Sequence, residues 1–105
     1  MDAGSVSLAG INAATLGVAI VANNVANANS KDYKAKRVDF NEVRGGGVKP
    51  SGLRESDETV VAGGSNVDLA TEFTSLLAYA DMYKINAKVF ELQKELLGTV
   101  LDMKA

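Results

Sequence analysis

The side chains able to do chemistry in this chain are carboxylates, amines, guanidinium groups, hydroxyls and phenols, because its 105 residues include no His and no Cys. Without His there is no side chain that titrates unperturbed near neutral pH, and the commonest metal ligand is missing. Without Cys there is no thiolate nucleophile, no disulfide framework and no Cys-ligated metal. Ser-His-Asp and Cys-His chemistry are both impossible, and no carboxylate pair is visibly spaced for acid–base work. Two patterns remain. Gly45-Gly46-Gly47 followed by Lys49 approaches a phosphate-cradling loop, but it lacks the P-loop spacing and the Lys-Ser/Thr pair. Seven of the 11 basic residues fall between Lys31 and Arg54, near Tyr33 and Phe40, where they could hold a single nucleic-acid strand. Asp32, Asp39 and Glu42 interrupt that cluster and two aromatics make a poor stacking platform, so a solvated or inter-subunit surface is the favoured reading. The sequence predicts no enzyme, no cofactor and no metal site.

The elements that carry these residues follow from the uneven charge pattern. The 11 basic and 13 acidic residues nearly balance, so no global field draws the chain to nucleic acid or an anionic membrane. From Ala3 to Ser30 there is no charged residue at all. A chain of this length is one domain at most, and it divides into an uncharged helix over 1–30, a basic Gly-rich middle over 31–65 and a mixed-charge helix over 66–105. The first segment has no basic residue before Lys31, so no cleaved secretory signal is expected. Its longest clean apolar run, Leu16 to Ala22, falls well short of the ~18 residues of a spanning helix, so no membrane span is expected either. Ile11, Ala14, Val18, Val21, Val25 and Ala28 instead follow the three-four spacing of a coiled-coil seam. Gly4, Gly10 and Gly17 each lower helix propensity by about 1 kcal/mol relative to Ala, so this helix should form only when packed. Its uncharged outer face implies cover by other copies.

The C-terminal segment has the stronger pattern. Leu69, Phe73, Leu76, Ala80, Tyr83, Ala87, Phe90, Lys94, Leu97 and Leu101 hold three-four spacing long enough to argue coiled coil. Ser65, Asn66 and Asp68 offer N-cap oxygens, Asp68 and Glu72 suit the positive end of the dipole, and Lys104 suits the other. A second stripe, Met82, Ile85, Val89, Leu92, Leu96, Val100 and Met103, lies well round the helix from the first. Two seams require two partners: the N-terminal helix of the same chain, and a neighbouring molecule. The middle reads as extended, with a flexible turn from Arg44 to Gly52 and short strands at Val38–Phe40 and Thr59–Val61. The expected fold is mainly α: a long antiparallel two-helix coiled-coil hairpin with a short, partly β middle segment.

Ala22-Asn23-Asn24-Val25-Ala26-Asn27-Ala28-Asn29-Ser30, followed by Tyr33-Lys34, resembles the N-terminal signature of bacterial flagellar axial proteins, the rod, hook and hook-associated proteins. Asn66-Val67-Asp68-Leu69, Glu72, Tyr83 and Asn86-Ala87-Lys88-Val89 are similar to that family's C-terminal signature. The short middle looks most like a proximal-rod type. The family usually has Thr-Pro-Gly before the Tyr-Lys; Ser30-Lys31-Asp32 stands there, which puts the tight turn in question.

The resemblance implies a structural subunit of the flagellar rod, assembling helically with copies of itself and related rod subunits. It also implies a basal-body location and passage through the flagellar type III export apparatus without a cleaved signal peptide. On this reading Ile11, Val18, Val21 and Val25 meet Leu69, Phe73, Leu76, Tyr83, Phe90, Leu97 and Leu101 within the chain. Met82, Ile85, Val89, Leu92 and Leu96 pack between subunits. Asn23, Asn24, Asn27, Tyr33, Asp68 and Asn86 are the motif residues, with the four asparagines expected to hydrogen-bond across helices or to cap helix ends. The rival reading is a cytoplasmic coiled-coil adaptor or regulator with a weak nucleic-acid-binding segment at Lys31 to Arg54.

Overall fold

A computed structural model describes residues 2–104, with the backbone alone for Lys104; the side chain expected at the negative end of the second helix dipole thus lies outside the described residues. Four elements follow in order: α1 (Ala3–Ala26), β1 (Lys36–Glu42), β2 (Val48–Glu55) and α2 (Leu69–Lys104).

Helix α1 begins where Asp2, in extended conformation, accepts a 2.7 Å hydrogen bond from the Ser5 N–H. That bond holds the Asp2 carboxyl below its usual range. The helix ends at Asn27, whose Nδ2 turns back onto the Asn23 carbonyl. A turn follows in which the Tyr33 N–H meets the Ser30 carbonyl at 3.3 Å. Asp32, its third residue, has φ 59°. A lone positive φ at that position is the mark of a type II turn, which favours Pro and then Gly at its two central residues. Ser30-Lys31-Asp32 therefore makes the kind of turn that Pro-Gly would set, with Asp at the left-handed position, where it is among the better tolerated non-glycine residues. Helix α2 is capped by Asp68, whose Oδ1 accepts from the Ala70 N–H. Ser65 and Asn66, the other two candidates, act elsewhere. Ser65 Oγ donates to the Ala28 carbonyl, and Asn66 joins Ala35, Ser56 and Glu58 by bonding their backbone groups.

The hairpin departs from expectation. Its first strand contains Val38–Phe40, but the partner is Val48–Glu55, not Thr59–Val61. Gly45, Gly46 and Gly47 have φ of 94°, 114° and 88°, which lets the chain reverse at once after Val43. Pro50 cannot donate to a ladder, yet a two-stranded ribbon consists of edges, where Pro is tolerated. The register shifts between Asp39 and Phe40, which face Gly52 and Pro50, so Ser51 is left over as a bulge.

The two helices lie antiparallel. Gly4 faces Gln93, Gly10 faces Asn86, Gly17 faces Tyr79 and Asn24 bonds Glu72. The hairpin packs along α1 as well, its base at Asn24 through Lys36 and its tip at Val6 through Gly46. The result is a slab of 68 × 24 × 14 Å with little interior. Its buried apolar residues are Ala13, Ala14, Val21 and Ala35. Helix α1 is by length and composition apolar enough to cross a membrane, and a third of that stretch is buried in the slab. Its apolar character thus partly serves contact with α2 and the hairpin.

Candidate functional site

The densest cluster of polar side chains sits where α1, α2 and the hairpin base converge. Asn24 is fully buried, and its amide makes four hydrogen bonds. Nδ2 donates to the Lys36 carbonyl at 2.9 Å and to Glu72 Oε1 at 2.7 Å. Oδ1 accepts from the Lys36 N–H at 2.8 Å and from the Tyr33 hydroxyl at 2.9 Å. Asn24 thus pairs with both backbone groups of Lys36, as a neighbouring strand would, and starts β1. Glu72 is also fully buried. A buried carboxylate must be paired to be tolerated, and Arg37 reaches it with Nη2 3.0 Å from Oε2, an ion-pair contact off hydrogen-bond alignment. Burial pushes the Tyr33 phenol above its ordinary pKa, the Glu72 charge adds to this, and Arg37 partly opposes it. The cluster holds three elements together.

From that cluster the helix pair runs outward on a seven-residue ladder. The α2 positions are Glu72, Tyr79, Asn86 and Gln93, and the α1 positions opposite the first three are Asn24, Gly17 and Gly10. A Cβ added at Gly10 would lie within 2.7 Å of three atoms of the Asn86 amide, and one at Gly17 would strike the Tyr79 ring. The glycines are hollows for large polar side chains, which is why the helices approach so closely.

The residues expected on the apolar seam divide by burial. Val21 is buried; Ile11, Val18, Val25, Leu76 and Phe90 are half-buried. Leu69, Phe73, Tyr83, Leu97 and Leu101 are instead between 46% and 67% exposed. Of the second stripe, Met82 is half-buried, while Ile85, Val89, Leu92 and Leu96 are exposed. Beyond Gln93, which meets Gly4, α2 continues with Leu96, Leu97, Val100, Leu101 and Met103 all exposed. Among the motif asparagines Asn24 alone bonds across the helices. Asn23 accepts from Tyr33, Asn27 bonds back onto Asn23, and Asn86 donates to the Met82 carbonyl of its own helix. The basic middle is partly neutralised in place: Arg37 by Glu72, Arg54 by Asp39, and Lys36 by Glu55.

Glu72, Arg37, Tyr79, Gln93, Gly10 and Gly17 were not singled out by apolar periodicity. The signal that marks them is the seven-residue repeat of Gly10, Gly17 and Asn24 against that of Glu72, Tyr79, Asn86 and Gln93. The slab consumes many of its polar groups internally and turns large apolar side chains outward, a pattern found at protein–protein contact surfaces. Residues 63–103 match the family model for the C-terminal part of flagellar basal body rod FlgEFG proteins. The match, over less than half of the chain, is a likeness of α2 and its lead-in to flagellar rod proteins. No curated protein matches the chain.

Proposed function

We propose that this chain is a structural subunit of the flagellar rod whose terminal helices pair as an antiparallel coiled coil and pack helically against neighbouring subunits. The observation that carries the reading is the outer face of α2. Ile85, Val89, Leu92 and Leu96 are exposed on the second stripe, and Leu69, Phe73, Tyr83, Leu97 and Leu101 add exposed area on the first. Copies of the chain and related rod subunits cover these residues, with Met82 at the margin of the same contact. Within the chain, Val21 and the half-buried Ile11, Val18, Val25, Leu76 and Phe90 flank the polar ladder. The protein reaches the periplasmic rod through the flagellar type III apparatus with its N-terminal region uncleaved. The rod's work is mechanical: a stiff tube that transmits torque and passes exported subunits.

Size-exclusion chromatography with light scattering tests this. Val89→Asp and Ile85→Asp should abolish association with itself or with rod subunits while a helical monomer survives. A wild type that associates with neither at high concentration would overturn the proposal. The nucleic-acid reading has no comparable support, since Lys36, Arg37 and Arg54 already face carboxylates within the chain.

A further inference from the structure

The large apolar side chains of α2 repeat with the same seven-residue period as the contacts to α1. Leu69, Leu76, Tyr83, Phe90 and Leu97 form one such column, and Met82, Val89, Leu96 and Met103 another. Sliding α2 by one heptad along α1 therefore replaces apolar by apolar along both columns except at their ends, where Ser75, for one, would take the place of Met82. The hollows do not forbid the slide either. It would bring Tyr79 from Gly17 to Gly10, another glycine, and Asn86 from Gly10 to Ala3, a small residue beside Gly4. The connection from Ser56 to Asp68, thirteen residues between β2 and α2, is long enough to follow a shift of about 10 Å once the Ser65 bond to Ala28 and the Asn66 bond to Ala35 release. The helix surfaces alone thus leave the register degenerate.

Beside the Ser65 and Asn66 anchors in the connection, one group on the helix surfaces breaks the degeneracy. In the shifted pairing Glu72 would face Gly17, which has no side chain to donate to it. It would also leave the Asn24 amide and the Arg37 guanidinium, which now lie 2.7 Å and 3.0 Å from its two oxygens. Asn24 would lose its partner across the helices while remaining bound to Lys36 at the hairpin base. Shifted the other way, Glu72 would pass beyond Asn24 and Tyr79 would replace it there. Either slide strands a buried carboxylate and an amide hydrogen bond. A single polar group buried in a helix seam is a known device for fixing register.

We infer that the Asn24–Glu72–Arg37 cluster sets the register of α1 against α2, and that the rest of the ladder accepts any heptad. This is a property of the single chain and does not depend on the rod reading. Its consequence for assembly is that every subunit presents its outer stripes at one fixed height, which helical stacking requires.

The test is a distance measurement by pulsed electron resonance on the full chain, with spin labels at Asn12→Cys and Lys84→Cys. Both positions are exposed, and they lie level by the pairing of Gly10 with Asn86 and Gly17 with Tyr79. The parent should give one distance population. The variant Asn24→Leu/Glu72→Leu/Arg37→Met should add a second population, displaced along the helix axis by about 10 Å, one heptad. Tyr79→Leu, which alters the ladder but keeps the cluster, should keep one population. A single unshifted population in the triple variant overturns the inference, and so does a second population in Tyr79→Leu. Should the triple variant lose its helical signal, Glu72→Leu alone is measured, and two populations are required. One population there, or loss of the fold, means that the cluster builds the pair rather than selecting its register, and the inference fails.

Discussion

Gly17 and Gly98 lie in helices of the same slab and answer to opposite rules. In an open helix interior, Gly→Ala gains about 1 kcal/mol from propensity. Nothing lies within 4 Å of a Cβ at Gly98, so Gly98→Ala should raise stability by about that amount. At Gly17 the same methyl meets the Tyr79 ring and at Gly10 the Asn86 amide, so the helices must separate. Overpacking of this kind typically costs about 1–3 kcal/mol, enough to cancel or exceed the propensity gain. Thermal melts of the three variants should rank Gly98→Ala above the parent, with Gly17→Ala and Gly10→Ala below it. Equal melting points would mean that the hollows are not used. The buried pair gives a second contrast. Arg37→Ala strands a fully buried carboxylate, whereas Glu72→Gln keeps the acceptor for Asn24 and leaves an Arg37 side chain that is 30% exposed to water. Chemical denaturation should show a loss of about 3 kcal/mol for the first, the low end for a broken buried pair because water reaches Arg37. The loss for the second should be nearer 1 kcal/mol. Tyr33 adds a pH dependence. Its folded pKa is raised above the ordinary 10.0, so the folded state holds the proton more tightly than the unfolded chain. The associated stability is complete below about pH 10 and is lost as pH rises through the folded value. Melting curves at rising alkaline pH should steepen relative to Tyr33→Phe, and parallel curves would deny the linkage.

At the scale of elements, the boundaries were legible where local chemistry sets them and illegible where packing does. Asp68 and the long apolar periodicity mark α2, and the absence of charge from Ala3 to Ser30 marks α1. The strand Val48–Glu55 was hidden because Pro50 and two glycines lie in or beside it, whereas Thr59–Val61 has better strand propensity. Turn geometry overruled propensity there: three glycines in left-handed conformation force the strand to form directly after them. The apolar seam is only partly packed within the chain, for a different reason. An apolar stripe is the usual sign of a buried helix face, but here that face pairs glycine with Tyr79, Asn86 and Gln93, and much of the apolar surface is held outside. The turn from Ser30 to Tyr33 shows how far a motif can drift while its geometry survives. Asp32 at φ 59° stands in for glycine. Asp32→Gly should be close to neutral, since relief of the left-handed backbone is offset by a freer unfolded chain. Asp32→Val should cost about 1–2 kcal/mol, because a branched side chain suits that conformation worst. Equal stability of the two would show that the turn can be remade without its left-handed residue.

The whole molecule is too extended for its mass. Its Cα radius of gyration is 18.1 Å, against about 13 Å for a compact domain of this length. Its accessible surface is 7154 Å², where a globular monomer of its mass would expose about 5,600 Å². The excess, about 1,500 Å², is close to what two standard interfaces remove from one partner, at about 800 Å² each. On the rod reading, the two stripes of α2 and this area would both suit two neighbours. On the proposed rod reading, a slab 14 Å thick with its apolar side chains outside gains stability through association, and such stability follows mass action. The melting temperature of the wild type, alone or titrated with rod subunits, should therefore climb with concentration. Ile85→Asp and Val89→Asp should melt at one temperature throughout, because their charges would have to be buried to associate. Salts that strengthen apolar burial, such as sulfate, should move the wild-type curve to lower concentration and leave the variants' flat profile unchanged. A wild-type melting temperature indifferent to concentration, to rod subunits and to sulfate would mean that the exposed stripes have no partner.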